Sequence, residues 1–513
     1  MALLGSMAAL PKAPPVSSTP RVQGAVFAQE KASSHRSEAF RRPDRSLLAV
    51  TLAGAISFGK ARQRRTVRSA GPSQQIVVVG GGLAGLNLAL RLDQMPWKVK
   101  PEVKLIDPKD RYVFLPLLID YATGVVELDE FAPMFRELFE GMPHVQHLQG
   151  SAGSVDWRRR QVSLMASGDE QTLPFDALVV ASGGLRGSSA PSLPGLEEAL
   201  ASGKALRFCT LADAEALRTR LSESVESVAI IGAGYVGVEL AAGLAEVMPE
   251  AASAGRICLF GSRFLPGCEE ANQKQSKEVL DKLGVIRKSG RVASLNEDGL
   301  VWTPSASGRP TAKEEHPCSL VIVTGALASS PEDRLALSSP LEDSVQSGRA
   351  AVDPFLRIAP GVYCLGDASA GSAPTGQIAM QQAEAAAWNI YAQISRLPRP
   401  AWRQFKPNPM GEFIALGSTE AAGVVQPSQL GNLLPPALPP ALARAVAPTV
   451  SSVGQAGSSA KAAVSGRAAT LLRRLAYLYR LPGMHRLKVA QQWLSRASGD
   501  SASLSANVLP LQP

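Results

Sequence analysis

With 513 residues, 45% of them hydrophobic and 19% charged, the chain has the composition of a soluble globular protein of about two or three domains. Its formal net charge of +9 sits at the ends: residues 1–70 carry 12 Lys+Arg against 3 acids, residues 421–499 carry 9 and no acid, and residues 71–420 carry 32 basic against 40 acidic residues. An acidic body with no nucleic-acid-binding module argues against a nucleic-acid partner, and five cysteines and five histidines without ligand spacing argue against a disulfide framework, a dithiol site or a metal site.

Residues 1–72, rich in Ser, Ala and Arg and ending in a basic cluster, read as an organelle-targeting presequence. The apolar run at 47–59 is shorter than the roughly 20 residues a bilayer span needs, and reads as a signal-like core or a short docked helix. Residues 73–195 open the first folded domain. A strand-like run enters a turn at Gly80, Gly82 and Gly85, a helix-compatible stretch follows, and a second strand ends at Asp107. That is the βαβ dinucleotide fingerprint: glycines for a tight turn and close phosphate approach, a helix N-terminus aimed at a pyrophosphate, and a carboxylate for ribose hydroxyls. An apolar run at 175–184 then passes into a Gly turn at Ser182.

Residues 205–330 repeat the pattern with Gly232, Gly234 and Gly237, and end in a strand-like run leading to Gly325. Here the acid of the second strand is missing: Gly261 and Ser262 stand in its place, followed by Arg263. An acid there repels the 2′-phosphate of NADPH, whereas a hydroxyl and a guanidinium receive it, so the pattern favours NADPH; the alternative is that Arg263 is a solvated loop residue and both donors are accepted. Residues 350–409 return to the first domain with a buried strand ending at Gly366 and Asp367, a carboxylate placed for a flavin ribityl chain, and then a helix over 376–390. Cys258 and Cys364 lie in apolar runs and read as packing residues. The predicted fold is α/β, with two Rossmann-like dinucleotide-binding domains, and two nucleotides on one chain imply electron passage between them.

These motifs resemble the two-dinucleotide-binding-domain flavoproteins of glutathione-reductase-like fold. The run GQIAMQQAEAAAWNI at 376–390 resembles, more narrowly, the type II NAD(P)H:quinone oxidoreductases, departing from their Ala-Gln-x-Ala-x-Gln-Gln helix only at Gly376. Runs at 111–133, 410–418 and 475–494 resemble the plastid-type branch of that family. The resemblance implies FAD on Gly80, Gly82, Gly85, Asp107, Ser182, Gly366, Asp367 and Gln377, and NADPH (or NADH) on Gly232, Gly234, Gly237, Ser262, Arg263 and Gly325. It implies a prenyl quinone of plastoquinone or naphthoquinone type at Gln377, Ala379, Met380 and Gln381. Glu239, Gln377 and Gln381 become the catalytic candidates, with Glu239 positioning the nicotinamide or relaying a proton; its alternative is a carboxylate in the first helical turn held by the helix dipole. The sequence places no cysteine beside this site.

Residues 410–513 form the last predicted region, with a loose Pro/Ala/Ser-rich insert at 426–465. Beyond it, Leu471, Leu475 and Leu478 share a helical face, Arg473 and Arg480 lie opposite, and a second segment carries Leu487 and Trp493. Two short basic amphipathic helices fit a membrane surface, or alternatively a hairpin packed on the body or on a second subunit. The resulting expectation is a peripheral NADPH:quinone oxidoreductase at a plastid thylakoid or plastoglobule surface, as a homodimer or in a larger assembly. A mitochondrial inner-membrane NADH:ubiquinone enzyme and a flavin-retaining structural subunit are the alternatives.

Overall fold

The computed structural model describes residues 73–184, 193–306, 309–310, 312–325, 341–426 and 461–499; the expected presequence and residues 427–460 of the expected insert lie outside them. β1 (Gln75–Val79), α1 (Leu83–Asp93) and β2 (Glu102–Asp107) form the first crossover unit. Their sheet has six strands in the order Arg357–Ala359, Val362–Cys364, Ala177–Val180, β1, β2, Val145–Gln149. All neighbours are parallel except the first pair. Runs such as ALVV at Ala177–Val180 are apolar without alternation because both faces of a parallel sheet are covered.

The second unit, β3 (Val228–Ile231), α2 (Tyr235–Val247) and β4 (Ile257–Gly261), repeats this arrangement. Its parallel strands run Ile286–Leu295, β4, β3, Leu320–Val323, Ala205–Arg207, extended by an antiparallel hairpin from Gly299–Ala306. Cys258 and Cys364 are buried in these strands.

The chain then re-enters the first domain through α3 (Gly376–Ile394), which lies along α1. Both helices bury small residues, Ala84 and Ala89 on α1 and Ala379, Ala383 and Ala386 on α3, and such small side chains let the two helices approach closely. A Cβ on Gly376 would sit 2.9 Å from Leu83 Cδ1, so glycine lets α3 begin close against α1, while the Thr375 hydroxyl caps it by accepting from Ile378 N at 3.4 Å.

The C-terminal region departs from expectation. β5 (Gly411–Ala415), β6 (Ala421–Val425) and β7 (Ala462–Ser465) form an antiparallel sheet, so the segment just before 466 is a paired strand rather than part of a loose insert. α4 (Gly466–Arg480) and α5 (His485–Gly499) follow. Leu471, Leu475, Leu478 and Trp493, expected at a membrane, are buried in the protein, and so is Arg473, expected on the polar face. The physical reason is a complementary charge: Arg473 donates to buried Asp120 from 353 positions earlier, with N–O distances of 3.1–3.3 Å. Arg480 is partly buried and donates to Ala476 O, and of the expected membrane residues only Leu487 is well exposed, at 56%. Among the described residues no helix is long and apolar enough to cross a membrane.

Candidate active site

Two glycine cradles set the site. Gly80 has φ +100°, and a Cβ on it would lie 2.4 Å from Ala181 O; a Cβ on Gly85 would lie 1.8 Å from Gly80 O. In the second unit Gly232 has φ +115° with Thr324 Oγ1 at 2.4 Å from its virtual Cβ, and Gly237 has Gly232 O at 1.7 Å. These four positions admit no side chain, because the neighbouring strand end crowds Gly80 and Gly232 and the turn itself folds back on Gly85 and Gly237. Gly82 and Gly234 differ: nothing lies within 4 Å, leaving the N-termini of α1 and α2 open. Backbone N–H groups around an open helix N-terminus suit a pyrophosphate.

Asp107 closes the first cradle, buried, accepting from Gly81 N at 2.7 Å and Lys109 N at 2.9 Å, with Lys109 Nζ 3.0 Å away. Ser182, at the end of the neighbouring strand, donates to Gly184 O at 3.3 Å, and Gly325, with φ +71° and open surroundings, ends the matching strand of the second unit.

The backbone register locates the absent acid. Gly80 N bonds Ile106 O, and Gly232 N bonds Phe260 O, so Gly261 occupies the place of Asp107. The reason it is glycine is visible next door. Ala233 stands where the first unit has Gly81, and a Cβ on Gly261 would sit 2.6 Å from the Ala233 methyl. Each unit thus has one side chain at this crossing, the acid in the first and the methyl in the second. Ser262 and Arg263 are exposed at the rim, and Arg263 has no ion pair among the described residues.

α3 separates two cavities. One, of about 720 Å³, is lined by Leu83, Tyr235, Gly376, Glu412 and Tyr477; the other, of about 600 Å³, by Arg91, Glu384, Asn408, Tyr479 and Arg486. Gln377, Met380 and Arg480 line both and form the partition. Gln377 spends both ends of its amide on the backbone, donating to Gly411 O at 2.6 Å and accepting from Met410 N at 3.1 Å. Gln381 does the same with Asn408 O and N, at 2.7 and 2.9 Å. Both therefore pin the strand that walls the cavities, while Ala379 is buried against α1. Gln382, not singled out in the sequence, is fully buried beneath the Gly366 turn. Its Oε1 accepts from Gly366 N at 2.7 Å, and its Nε2 has no partner among the described residues. Asp367 is exposed, with its carbonyl held by Arg349.

Glu239, on the inward face of α2, accepts from Ala415 N at 2.8 Å. Burial pushes its carboxyl up to about 7, offset in part by the Arg473 guanidinium and the Ala415 N–H, with Asp120 adding a smaller upward push. Arg473 and Asp120 form a buried pair beside it, and Arg474 lies 3.6 Å from Asp120. A buried carboxyl poised near neutrality beside the Arg473–Asp120 pair suits a proton-handling role.

No cysteine lines the larger cavity among the described residues; Cys268 stands one residue behind it, donating its thiol to Glu412 Oε1 at 3.2 Å, while Tyr235 donates to Glu412 Oε2 at 2.7 Å. Glu412 also takes bonds from Glu269 N and Asn272 Nδ2. Burial and the neighbouring carboxylate push the Cys268 thiol up to about 12, so it stays protonated and a poor nucleophile. No second cysteine bonds to it among the described residues, so the arrangement is no dithiol pair.

Residues 74–385 match the family model described as pyridine nucleotide-disulphide oxidoreductase. The chain is 31% identical to a demethylphylloquinone reductase, NdbB, of Synechocystis sp., over 83% of its own length and 97% of that protein. It is 29% identical to the Arabidopsis thaliana alternative NAD(P)H-ubiquinone oxidoreductase C1, chloroplastic/mitochondrial, over 84% of this chain and 82% of the relative. The structure of NDH2 from Plasmodium falciparum in complex with NADH superposes with a TM-score of 0.62 at 16% identity, covering 81% of this chain and 96% of that one, a likeness of fold.

Proposed function

This chain belongs to the pyridine nucleotide-disulphide oxidoreductases and, within them, to the type II NAD(P)H:quinone oxidoreductases, and on that premise we propose that it moves two electrons from NADPH to a membrane-dissolved prenyl quinone in a plastid. The observation that carries this reading is the partition: Leu83 and Tyr235, the first helical residues beyond the two cradles, line one cavity, and Gln377, Met380 and Arg480 of α3 and α4 divide it from a second. The names of the cyanobacterial and plant relatives support a plastid and a naphthoquinone or benzoquinone acceptor.

FAD fits the first cradle on three observations: the open surroundings of Gly82, the buried carboxylate of Asp107, and the orphaned Gln382 Nε2 beneath the Gly366 turn. When bound, FAD supplies the chemistry of taking a hydride and giving back electrons; the protein supplies placement and electrostatics. Asp107 would hold the ribose hydroxyls and the Gly82 turn the pyrophosphate. The cradle of Gly232, Gly234 and Gly237 would hold the donor's pyrophosphate, and Ser262 and Arg263 its 2′-phosphate. Glu239 holds or releases a proton near neutral pH at the wall between α2 and α4. Gln377 and Gln381 act by fixing the 408–411 segment, and Met380 with Arg480 forms the divide on which a quinone head group would rest.

Donor preference tests the finer part of this reading. The purified flavin-loaded protein should reduce a short-chain plastoquinone analogue with a kcat/KM for NADPH at least about ten-fold above that for NADH, the size of one charge-assisted bond. Arg263→Ala should narrow that ratio through the NADPH KM alone. Equal use of both donors, unaltered in the variant, would contradict the phosphate site.

A further inference from the structure

We propose that the strap at residues 396–406, with the neighbouring loop at 97–99, is the surface by which the protein docks on an anionic lipid membrane. Membrane docking itself rests on the quinone reading above, while the placement of the surface rests on the strap. Between Glu384 and Glu412 the chain has four basic residues, Arg396, Arg399, Arg403 and Lys406, and no acid. All four are exposed, as is Lys98, and none of the five has an ion pair among the described residues. Val99 beside them is 70% exposed.

The strap is held rigidly along α3. Asn389 bonds both backbone groups of Arg403, at 2.9 and 2.8 Å, and Trp388 Nε1 donates to Ala401 O at 2.7 Å. Further on, Gln381 and Gln377 make the paired bonds to Asn408, Met410 and Gly411 described above. The guanidinium groups are stacked rather than free: Arg399 lies 4.4 Å from the Trp402 ring centroid and Arg403 lies 4.3 Å from that of Trp388. A guanidinium stacked by its face keeps its N–H edges for phosphate, and half-buried tryptophans beside arginines suit the boundary between headgroups and acyl chains. Trp97 anchors the adjoining loop by packing edge-on against Tyr391 at 5.0 Å.

Location supplies the second argument. The smaller cavity is lined by Asn408 at the end of the strap and by Arg91 and Gln94 at the end of α1, just before the 97–99 loop. A membrane docked on the strap would therefore lie next to the chamber that shares its wall with the larger cavity.

Co-sedimentation of the full-length protein with vesicles tests this. Phosphatidylglycerol/phosphatidylcholine vesicles should bind it, pure phosphatidylcholine should not, and salt should release it. The variant K98Q/R396Q/R399Q/K406Q should lose about ten-fold or more in partitioning, since it removes four of the positive charges that would meet the anionic surface. Arg158→Gln/Arg159→Gln, on the exposed hairpin of the first domain, should bind like the parent. Equal binding by parent and strap variant, equal binding to neutral vesicles, or no vesicle binding at all (as for a surface that meets an acidic protein) would overturn the proposal. Turnover with a water-soluble quinone is measured in parallel: its absence in the parent counts against the quinone reading, whereas its retention in a variant that no longer binds vesicles isolates the strap.

Discussion

At the scale of single residues, the crossing of the second cradle makes the sharpest prediction. Gly261→Asp alone should strain the fold, because its Cβ would press on the Ala233 methyl at 2.6 Å. Adding Ala233→Gly removes the methyl and leaves the backbone N of residue 233, 2.9 Å from the new Cβ, to shift slightly towards the pairing seen at Gly81 and Asp107; the double variant should turn from NADPH towards NADH in its kcat/KM ratio. An unchanged ratio in a well-folded double variant would contradict the assignment. The absent acid was legible in the sequence, but the alanine that accompanies its absence was not, since only the strand register brings positions 233 and 261 together. Gly82→Ala gives a second test: it meets no protein atom within 4 Å, so thermal stability without ligand should stay near the parent's while flavin retention falls. Glu239 sets a pH dependence. Its carboxyl rises from 4.5 in the unfolded chain to about 7 in the folded protein. The folded state therefore keeps a proton that the unfolded chain has shed, and stability declines as pH climbs through that interval, levelling off above it. Glu239→Gln removes the decline, so its melting temperature should gain on the parent's more at pH 8 than at pH 5; a constant gap would show that burial does not disfavour the charged form.

At the scale of elements, α4 behaves as a core helix with a charged anchor. Arg473→Met would leave Asp120 buried with its main partner gone, and should cost about 3–5 kcal/mol in denaturant unfolding, the range for breaking one side of a buried pair. A loss below about 1 kcal/mol would mean the pair is solvated. This element shows where sequence reading fails for a physical reason. A basic, leucine-striped helix looks the same whether its stripe meets lipid or protein, and the deciding partner, Asp120, lies 353 positions away. Glycine turns and apolar parallel strands were legible because their causes are local, a backbone conformation in one case and burial on both faces in the other. The glutamines of α3 were legible only through the family resemblance, their paired bonds to the 408–411 backbone depend on a segment nearly 30 residues on, and Cys268 reaches the cavity only through Glu412, 144 positions away.

At the scale of the whole molecule, the proposed reading makes the two cradles, the partition helix and the C-terminal layer one electron path, with the donor and the acceptor on opposite sides of the partition. Tyr235 and Glu412 stand at the larger cavity, Asn408 and Arg486 at the smaller, and Gln377, Met380 and Arg480 between. The central claim is that electrons cross this partition from a nicotinamide to a quinone. Anaerobic double-mixing stopped-flow tests it most directly: the flavin-loaded protein is mixed with NADPH, the flavin absorbance followed, and a short-chain plastoquinone analogue added in the second mix. Rapid bleaching by NADPH followed by full recovery on quinone addition is the predicted result; a flavin that NADPH does not bleach, or that the quinone does not restore, would contradict it.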